Sequence, residues 1–291
     1  MSRVRVGALL GILSTILFTA MVALVKICRE ELDALEIIHW RCLAAIPFAA
    51  ALSWKPGFRL NNRRIFVLRM LLGFSAMVCF FTAAKGLPLA NLALISRLQP
   101  LLIALMAPLL LGERSTRLIW AVMACGVVGC AVLVYPEIDL DEGLTEAGVY
   151  ALWALGAAGF SAGAHMALRK LGRTDHPRSI VFWFQCGVFV LAGGLLVATG
   201  SWRLPPEHLW LPLAGVGILA TCGQVAMTAA YRQEKASLVA ATTYLSPLWG
   251  ALVDIAVFAL VPGWEVLLGG ALVITAGLAL VFKRGASSSP G

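Results

Sequence analysis

Long apolar runs separated by short polar stretches dominate the pattern of this 291-residue chain. A helix that spans a membrane needs about 20 mostly apolar residues. Ten runs approach that length, and each ends at turn-forming or charged residues. The predicted spans, numbered 1 to 10, cover residues 7–27, 35–53, 65–84, 90–111, 117–135, 147–168, 179–199, 209–230, 237–260 and 264–282. The pattern therefore predicts an all-α integral membrane protein with ten transmembrane helices.

Two stretches that start 147 residues apart share the pattern L-x-P-L-x-x-A-L, at residues 98–105 and 245–252. They lie in spans 4 and 9, so each belongs to the fourth of five spans in its half. We therefore expect two repeats, residues 1–138 and 139–291. Because each half has an odd number of spans, the second half enters the membrane from the opposite side. The pattern predicts two inverted five-helix repeats, the arrangement that supports alternating access.

The prolines of this pattern, Pro100 and Pro247, lie inside the predicted helices. A proline within a helix removes one backbone hydrogen bond and usually kinks the helix. A packing kink would explain either proline alone. Their equivalent places in both halves favour helix breaks that act as pivots or line a cavity, where the freed carbonyl groups are satisfied.

Composition agrees with a membrane protein. Hydrophobic residues make up 60% of the chain and charged residues 13%, against about 45–50% and about 25% in soluble domains. The net charge of +8 does not indicate a nucleic-acid partner, because the basic residues are scattered between apolar runs. We expect the lipid bilayer as a partner and no nucleic acid.

The basic residues also predict the orientation. Sixteen lie on one side of a ten-span topology: Arg3, Arg5, Lys55, Arg59, Arg63, Arg64, Arg114, Arg117, Arg169, Lys170, Arg173, Arg178, Arg232, Lys235, Lys283 and Arg284. The other side has Lys26, Arg29, Lys85 and Arg203. Since positive loops stay inside, both termini are predicted to be cytoplasmic. Short loops and chain size suggest a multi-pass protein of a bacterial inner membrane. Residues 7–27 resemble a signal peptide, but the matching span 6 is internal, so we expect a mature helix.

Charged residues inside the spans are the main candidates for a functional site, because burying a charge costs several kcal/mol unless it is paired or hydrated. Arg97 and Tyr244 occupy equivalent positions beside the two prolines, and Asp254 lies in span 9. We expect Arg97 and Asp254 to line one central vestibule in its outer half. They either pair directly or hold opposite charges of a zwitterionic substrate. A permanent salt bridge between the repeats is the structural alternative.

Other polar residues within the spans are weaker candidates. Arg41 is deep enough in span 2 to need a partner, and Gln99 and Trp153 are candidates to face the cavity. The same applies to Gln185, Gln224 and His165, although a lone polar residue is as often a tie between helices.

Enzymatic chemistry is not indicated by the residues. Asp254 is the only carboxylate well inside a span, and the four histidines are dispersed. The seven cysteines show no metal-ligand spacing, and no P-loop motif occurs. We therefore expect no enzyme, no metal and no other cofactor. A membrane-embedded enzyme acting on a lipid stays the alternative, although its usual catalytic clusters are missing.

The stretch LPLANLALISRLQPL at residues 87–101, continued by LLLGER at 109–114 and by Trp120, resembles the EamA-type branch of the drug/metabolite transporter superfamily. Arg41 and Arg69 fit this resemblance, and residues 231–277 repeat the pattern more loosely. The resemblance implies ten helices in two inverted repeats around a central cavity, with spans 4 and 9 at its centre. Within this branch, the chain is similar to carriers for S-adenosylmethionine, riboflavin, amino acids or opine-type metallophores.

These observations predict a secondary transporter for a small polar metabolite, such as an amino acid, a nucleoside-like or a vitamin-like compound. The resemblance favours export over uptake. Coupling to protons or to a counter-substrate is left open, as is the choice between monomer and homodimer. If protons are coupled, Asp254 is the candidate carrier, whereas a close Arg97 would hold it in its charged form.

Overall fold

The computed structural model describes residues 6–55, 57–99, 102, 128, 138–139, 143–171, 174–233, 245–261, 263–264, 267–268 and 271. Strands β1 (Ile138–Asp139) and β2 (Gly143–Leu144) form a short antiparallel ladder. The helices are α1 (Val6–Cys28), α2 (Ala34–Trp40), α3 (Cys42–Ser53), α4 (Arg63–Gly86), α5 (Leu89–Ser96), α6 (Glu146–Leu171), α7 (Pro177–Ala198), α8 (Trp210–Gln233) and α9 (Ser246–Phe258), with a 3-10 turn at Glu207–Leu209.

Six segments among the described residues are long and apolar enough to cross a membrane. They lie in α1, in α2 together with α3, and in α4, α6, α7 and α8, the last including the preceding 3-10 turn. Helix α9 is a shorter apolar helix of 13 residues. A multi-pass, all-α membrane protein is thereby confirmed. Most of predicted spans 5 and 10, much of span 4 and the start of span 9 lie outside the described residues, so the count of ten helices stays a prediction.

Large apolar side chains cover the outer surface of the described helices. Val190 of α7 is 70% exposed, and Ile255 of α9 is 50% exposed. Small residues such as Ala154 and Ala192 instead lie buried between helices. This distribution fits a protein whose surface is covered by lipid, because hydrocarbon is as favourable as a protein core for such side chains.

The described helices of the two halves pack mainly in four pairings. Helix α1 packs against α8, α4 against α6, α2 and α3 against α7, and α5 against α9. The interface between the halves therefore runs through the whole bundle. Helix α5 ends just before the first copy of the proline pattern, and α9 contains most of the second copy. The α5–α9 pairing therefore positions the candidate site.

Polar contacts tie the halves together at both ends of this bundle. Arg203, in the loop after α7, donates to the two carboxylate oxygens of Glu36, at 2.6 Å and 3.2 Å. The hydrogen bonds to Glu36 raise the pKa of Arg203 above its ordinary value, so this guanidinium keeps its charge. At the other end of α7, Trp183 Nε1 donates to Phe58 O at 2.6 Å. Each contact joins a loop of one half to a helix of the other.

The close packing of α8 can be tested at Gly217. A Cβ at this position would overlap the carbonyl oxygen of Arg41 and lie 3.3 Å from the amide nitrogen of Ala45. Because these neighbours are backbone atoms, we expect Gly217→Ala to lower the free energy of unfolding by about 1–3 kcal/mol. The measurement is the Tm of the purified protein in detergent.

Gly159 of α6 provides the matched control, since a Cβ there would meet no atom within 4 Å. We expect Gly159→Ala to be neutral or slightly stabilising, because alanine favours a helix more than glycine does. Equal Tm values for the two variants would contradict the close approach at Gly217.

Candidate functional site

A cavity of about 220 Å³ lies where α1, α4, α5, α6 and α9 meet. Most of its lining is apolar, with contributions such as Phe18, Phe80 and Leu92. Its polar lining residues are Thr19, Ser96, Arg97, Gln99, Ser161 and Ser246. Since one water molecule occupies about 30 Å³ in the liquid, the cavity has room for a small molecule. Arg97 and Gln99 are thus placed at the cavity, as expected.

Arg97 lies at a discontinuity in its helix. Helix α5 ends at Ser96, Arg97 forms a turn with its N–H donating to Leu94 O at 2.9 Å, and Leu98 and Gln99 are helical again. The Arg97 Nε donates to Ala93 O at 3.3 Å. A proline at residue 100 cannot donate to the carbonyl of Ser96, which is consistent with this break. Pro100 itself lies outside the described residues.

In the second half, a described helix begins at the equivalent place. Helix α9 begins at Ser246, with Pro247 in its first turn and Leu245 as its N-cap. Proline is accommodated there because the first N–H groups of a helix have no partner within the helix. Tyr244 lies outside the described residues. Gln99 and Ser246 occupy the same position of the L-x-P pattern, and both line the cavity.

Asp254 binds the opposite end of α5. Its side chain is buried, Oδ1 accepts from the N–H of Leu89 at 2.9 Å, and Oδ2 accepts from the N–H of Ala90 at 2.8 Å. The N-cap of α5 is Pro88, which offers no side-chain acceptor. The carboxylate from the second half therefore satisfies the first N–H groups of a helix from the first half, where a negative charge is also favoured by the helix dipole. We call this contact the α5 clasp.

Two neighbouring residues complete the α5 clasp. Gly250, one turn before Asp254, lets α9 approach closely, because a Cβ there would lie 2.9 Å from the carbonyl carbon of Leu89. Lys26 of α1 donates from Nζ to Leu87 O at 2.9 Å and lies 5.0 Å from the ring centre of Phe258. The loop between α4 and α5 is thus held by groups from α1 and α9.

We expected Arg97 and Asp254 to line one vestibule, but the described structure does not bring the two side chains together. The ion pairs between described residues do not include this pair, and Asp254 is not among the cavity-lining residues. Asp254 binds the first turn of α5, whereas Arg97 follows its last residue. Eight residues of helix separate Leu89 from Arg97, or roughly 12 Å along the axis. Both carboxylate oxygens of Asp254 instead accept from the backbone N–H groups of Leu89 and Ala90.

Two further predicted site residues also lie away from the cavity lining. Arg41 is buried between helices, where it donates to Gln185 Oε1 at 3.3 Å and to Met77 Sδ at 2.9 Å. Trp153 of α6 is 41% exposed. Arg41 lies in the turn that joins α2 to α3, and Trp153 lies in α6 one turn before the lining residue Ala157.

His165 lies directly behind the cavity wall. Its Nδ1 is 2.9 Å from Gln99 Nε2 and 2.8 Å from Ser161 O. The sequence left His165 as a weak candidate, and the hydroxyl residues Thr19, Ser161 and Ser246 were not predicted. Ser246 could have been predicted, because it occupies the position equivalent to Gln99 in the repeated L-x-P pattern.

Comparison with known proteins extends these observations. The family model described as the EamA-like transporter family matches residues 5–135 and 148–283. The chain is similar to the pseudopaline exporter CntI of Pseudomonas aeruginosa (strain UCBPP-PA14), with 30% identity over 94% of this chain and 95% of that protein. It is also similar to human solute carrier family 35 member G1, with 29% identity over 93% and 77% of the two chains.

Two more similarities are informative. The riboflavin transporter of Vibrio cholerae is 25% identical over 79% of this chain and 75% of its own length. A solved crystal structure with 19% sequence identity superposes with a TM-score of 0.68, covering 97% of this chain and 99% of the other. That structural likeness shows a shared fold. The family and these relatives are transporters and not enzymes, which confirms the expectation that the chain has no enzymatic activity.

The α5 clasp predicts that stability depends on the Asp254 carboxylate. Asp254→Asn keeps one acceptor oxygen and turns an NH₂ group toward a backbone donor, so one buried N–H loses its partner. We expect the free energy of unfolding to fall by about 1–3 kcal/mol, and further in Asp254→Ala. The Tm in detergent measures the change. Glu207→Gln is the control, because Glu207 is an exposed carboxylate outside the clasp. Wild-type Tm values for both Asp254 variants would contradict this role.

Proposed function

Because the chain belongs to the EamA-like transporter family, we propose that it moves a small polar metabolite across the membrane by alternating access. The observation that carries this proposal is the cavity between α5 and α9. It lies beside the turn at Arg97 that follows α5 and beside the start of α9, and it combines an apolar wall with Arg97 and Gln99. Small-molecule sites typically join an apolar lining to a few placed polar groups.

The proposed architecture is two inverted five-helix repeats, residues 1–138 and 139–291. The helix pairings support it: when spans 1–4 are aligned with spans 6–9, the α1–α8 pairing corresponds to α6–α4. The α5–α9 pairing joins two equivalent spans, and so does the pairing of α2 and α3 with α7. The alignment therefore maps each of these two pairings onto itself. The two separate matches of the family model, to residues 5–135 and 148–283, agree with such a duplication. A two-fold relation between inverted halves lets the cavity open to either side.

In this proposal the α5 clasp closes one side of the cavity. Asp254 joins α9 to the start of α5, and helix breaks at Pro100 and Pro247 are proposed to let the other parts of spans 4 and 9 move. The residue equivalent to Asp254 in the first half is Ala107, which has no carboxylate. The clasp is therefore proposed to act on one side only. Under the positive-inside orientation this is the outer side.

For the substrate and direction, we propose export of a small polar metabolite from the cytoplasm across a bacterial inner membrane, with both termini cytoplasmic. The similarity to a pseudopaline exporter supports export, and the similarity to a riboflavin transporter supports a polar metabolite as cargo. Arg97, Gln99 and Tyr244 are the proposed substrate-binding residues. If protons drive transport, protonation of Asp254 would remove one acceptor from the clasp and so loosen it.

The proposal predicts that filling the cavity abolishes transport. Ala93 of α5 lines the cavity, and an indole ring in its place would occupy much of the about 220 Å³ available. We expect Ala93→Trp to lower export by about tenfold or more, a loss of at least about 1.4 kcal/mol in binding. Export is measured by comparing small molecules in the medium of cells that express wild type or variant.

Val190→Trp is the matched control, because Val190 points outward from α7 and is 70% exposed. It should keep the wild-type export profile at the same membrane abundance. An identical profile of exported compounds for wild type and Ala93→Trp would count against this cavity as the transport site.

A further inference from the structure

We propose that the cavity selects substrates that carry an anionic group such as a carboxylate, and that His165 is a positioning residue for this selection. The inference rests on the proposed function and adds the charge class of the cargo. Its two supports are the charge of the cavity wall and the hydrogen-bond geometry behind Gln99.

The described part of the cavity wall carries a positively charged side chain. Arg97 is the one formally charged residue among the described residues that line the cavity. The chain has fifteen carboxylate side chains, and those that fall within a described or predicted span lie at its first residues, with the exception of Asp254. Both oxygens of Asp254 accept from backbone N–H groups of α5. An anion in the cavity would therefore be attracted by Arg97 without meeting a carboxylate on the described wall.

The contacts of His165 determine which nitrogen carries the proton. Its Nδ1 lies 2.8 Å from Ser161 O, and a carbonyl oxygen can only accept. Nδ1 therefore donates, which means that it cannot also accept a hydrogen bond from the NH₂ group of Gln99, 2.9 Å away. The side-chain amide of Gln99 resolves this conflict by presenting its oxygen to the ring, because the oxygen and nitrogen of an amide have nearly the same shape.

This orientation turns the NH₂ group of Gln99 away from His165. Because Arg97 and Gln99 both line the cavity, its wall carries a guanidinium and an amide NH₂ as donors, with the hydroxyl of Ser246 at the position equivalent to Gln99. A carboxylate accepts from such donors in strong, charge-assisted hydrogen bonds. An ammonium group offers donors only and would be repelled. His165 thus acts on selectivity through Gln99 without lining the cavity.

The test uses three probes of matched length: succinate, its neutral diamide succinamide, and the diamine putrescine. Thermal shifts of the purified protein are measured at millimolar concentrations of each. We expect succinate to stabilise the protein most and putrescine least, because a ligand that binds the folded state raises its Tm. Arg97→Gln should remove the preference for succinate. Stabilisation by none of the probes, or equally by succinamide or putrescine, would overturn the proposal.

Two variants of His165 separate positioning from a structural role. His165→Phe keeps a ring but no donor, so Gln99 loses its preferred orientation. We expect its succinate-over-succinamide affinity ratio to fall by about tenfold, the size expected for one charge-assisted hydrogen bond. His165→Gln can still donate an N–H to Gln99, and the ratio should return toward wild type. An unchanged ratio in His165→Phe, or equal ratios in both variants at matched Tm, would contradict the positioning role.

The outcomes also distinguish this inference from the proposed function. Export that is lost in Ala93→Trp but shows a preference for neutral or cationic cargo would refute anion selection and leave transport standing. Selective succinate binding without any exported compound would support anion selection and contradict the proposed transport function.

Discussion

The contact between the Asp254 carboxylate and the first N–H groups of α5 is the constraint on which the rest of the site depends. In a membrane, backbone groups must find partners within the protein, since hydrocarbon offers none. Helix α5 begins after Pro88, whose side chain provides no acceptor, so the partner comes from another helix. Asp254 supplies both acceptors from the second half of the chain, and Gly250 permits the close approach that this requires.

This constraint explains where the cavity lies. Helices α5 and α9 are held together where Asp254 meets Leu89, and the lining residues Arg97 and Ser246 lie at the other ends of these two short helices. The turn at Arg97 and the first turn of α9, which contains Pro247, fall at that end. We propose that the clasp closes one side of this pair and that helix breaks at the two prolines make the other side adaptable. The absence of a carboxylate at Ala107 makes this arrangement asymmetric in sequence as well.

Much of the helix pattern was predictable from the sequence, because a bilayer imposes length and apolarity on every span. The prediction for span 1, residues 7–27, lies within α1, which covers Val6–Cys28. Gln99 was named from the sequence as a candidate to face the cavity, and the repeated L-x-P pattern places Ser246 at the equivalent position. The role of Asp254 was not predictable by a search for opposite charges, since its partners are backbone N–H groups. Whether a side chain such as Trp153 lines the cavity likewise depends on packing between distant segments.

The most direct measurement of the central claim is the sided accessibility of the cavity. A single cysteine introduced as Ser96→Cys, in a protein whose seven native cysteines are replaced, is exposed in membrane vesicles to a membrane-impermeant thiol reagent from each side in turn. The account predicts labelling from one side only while Asp254 is present, and from both sides once Asp254→Ala removes the α5 clasp. Labelling from both sides with Asp254 intact, or an unchanged pattern in Asp254→Ala, would contradict it.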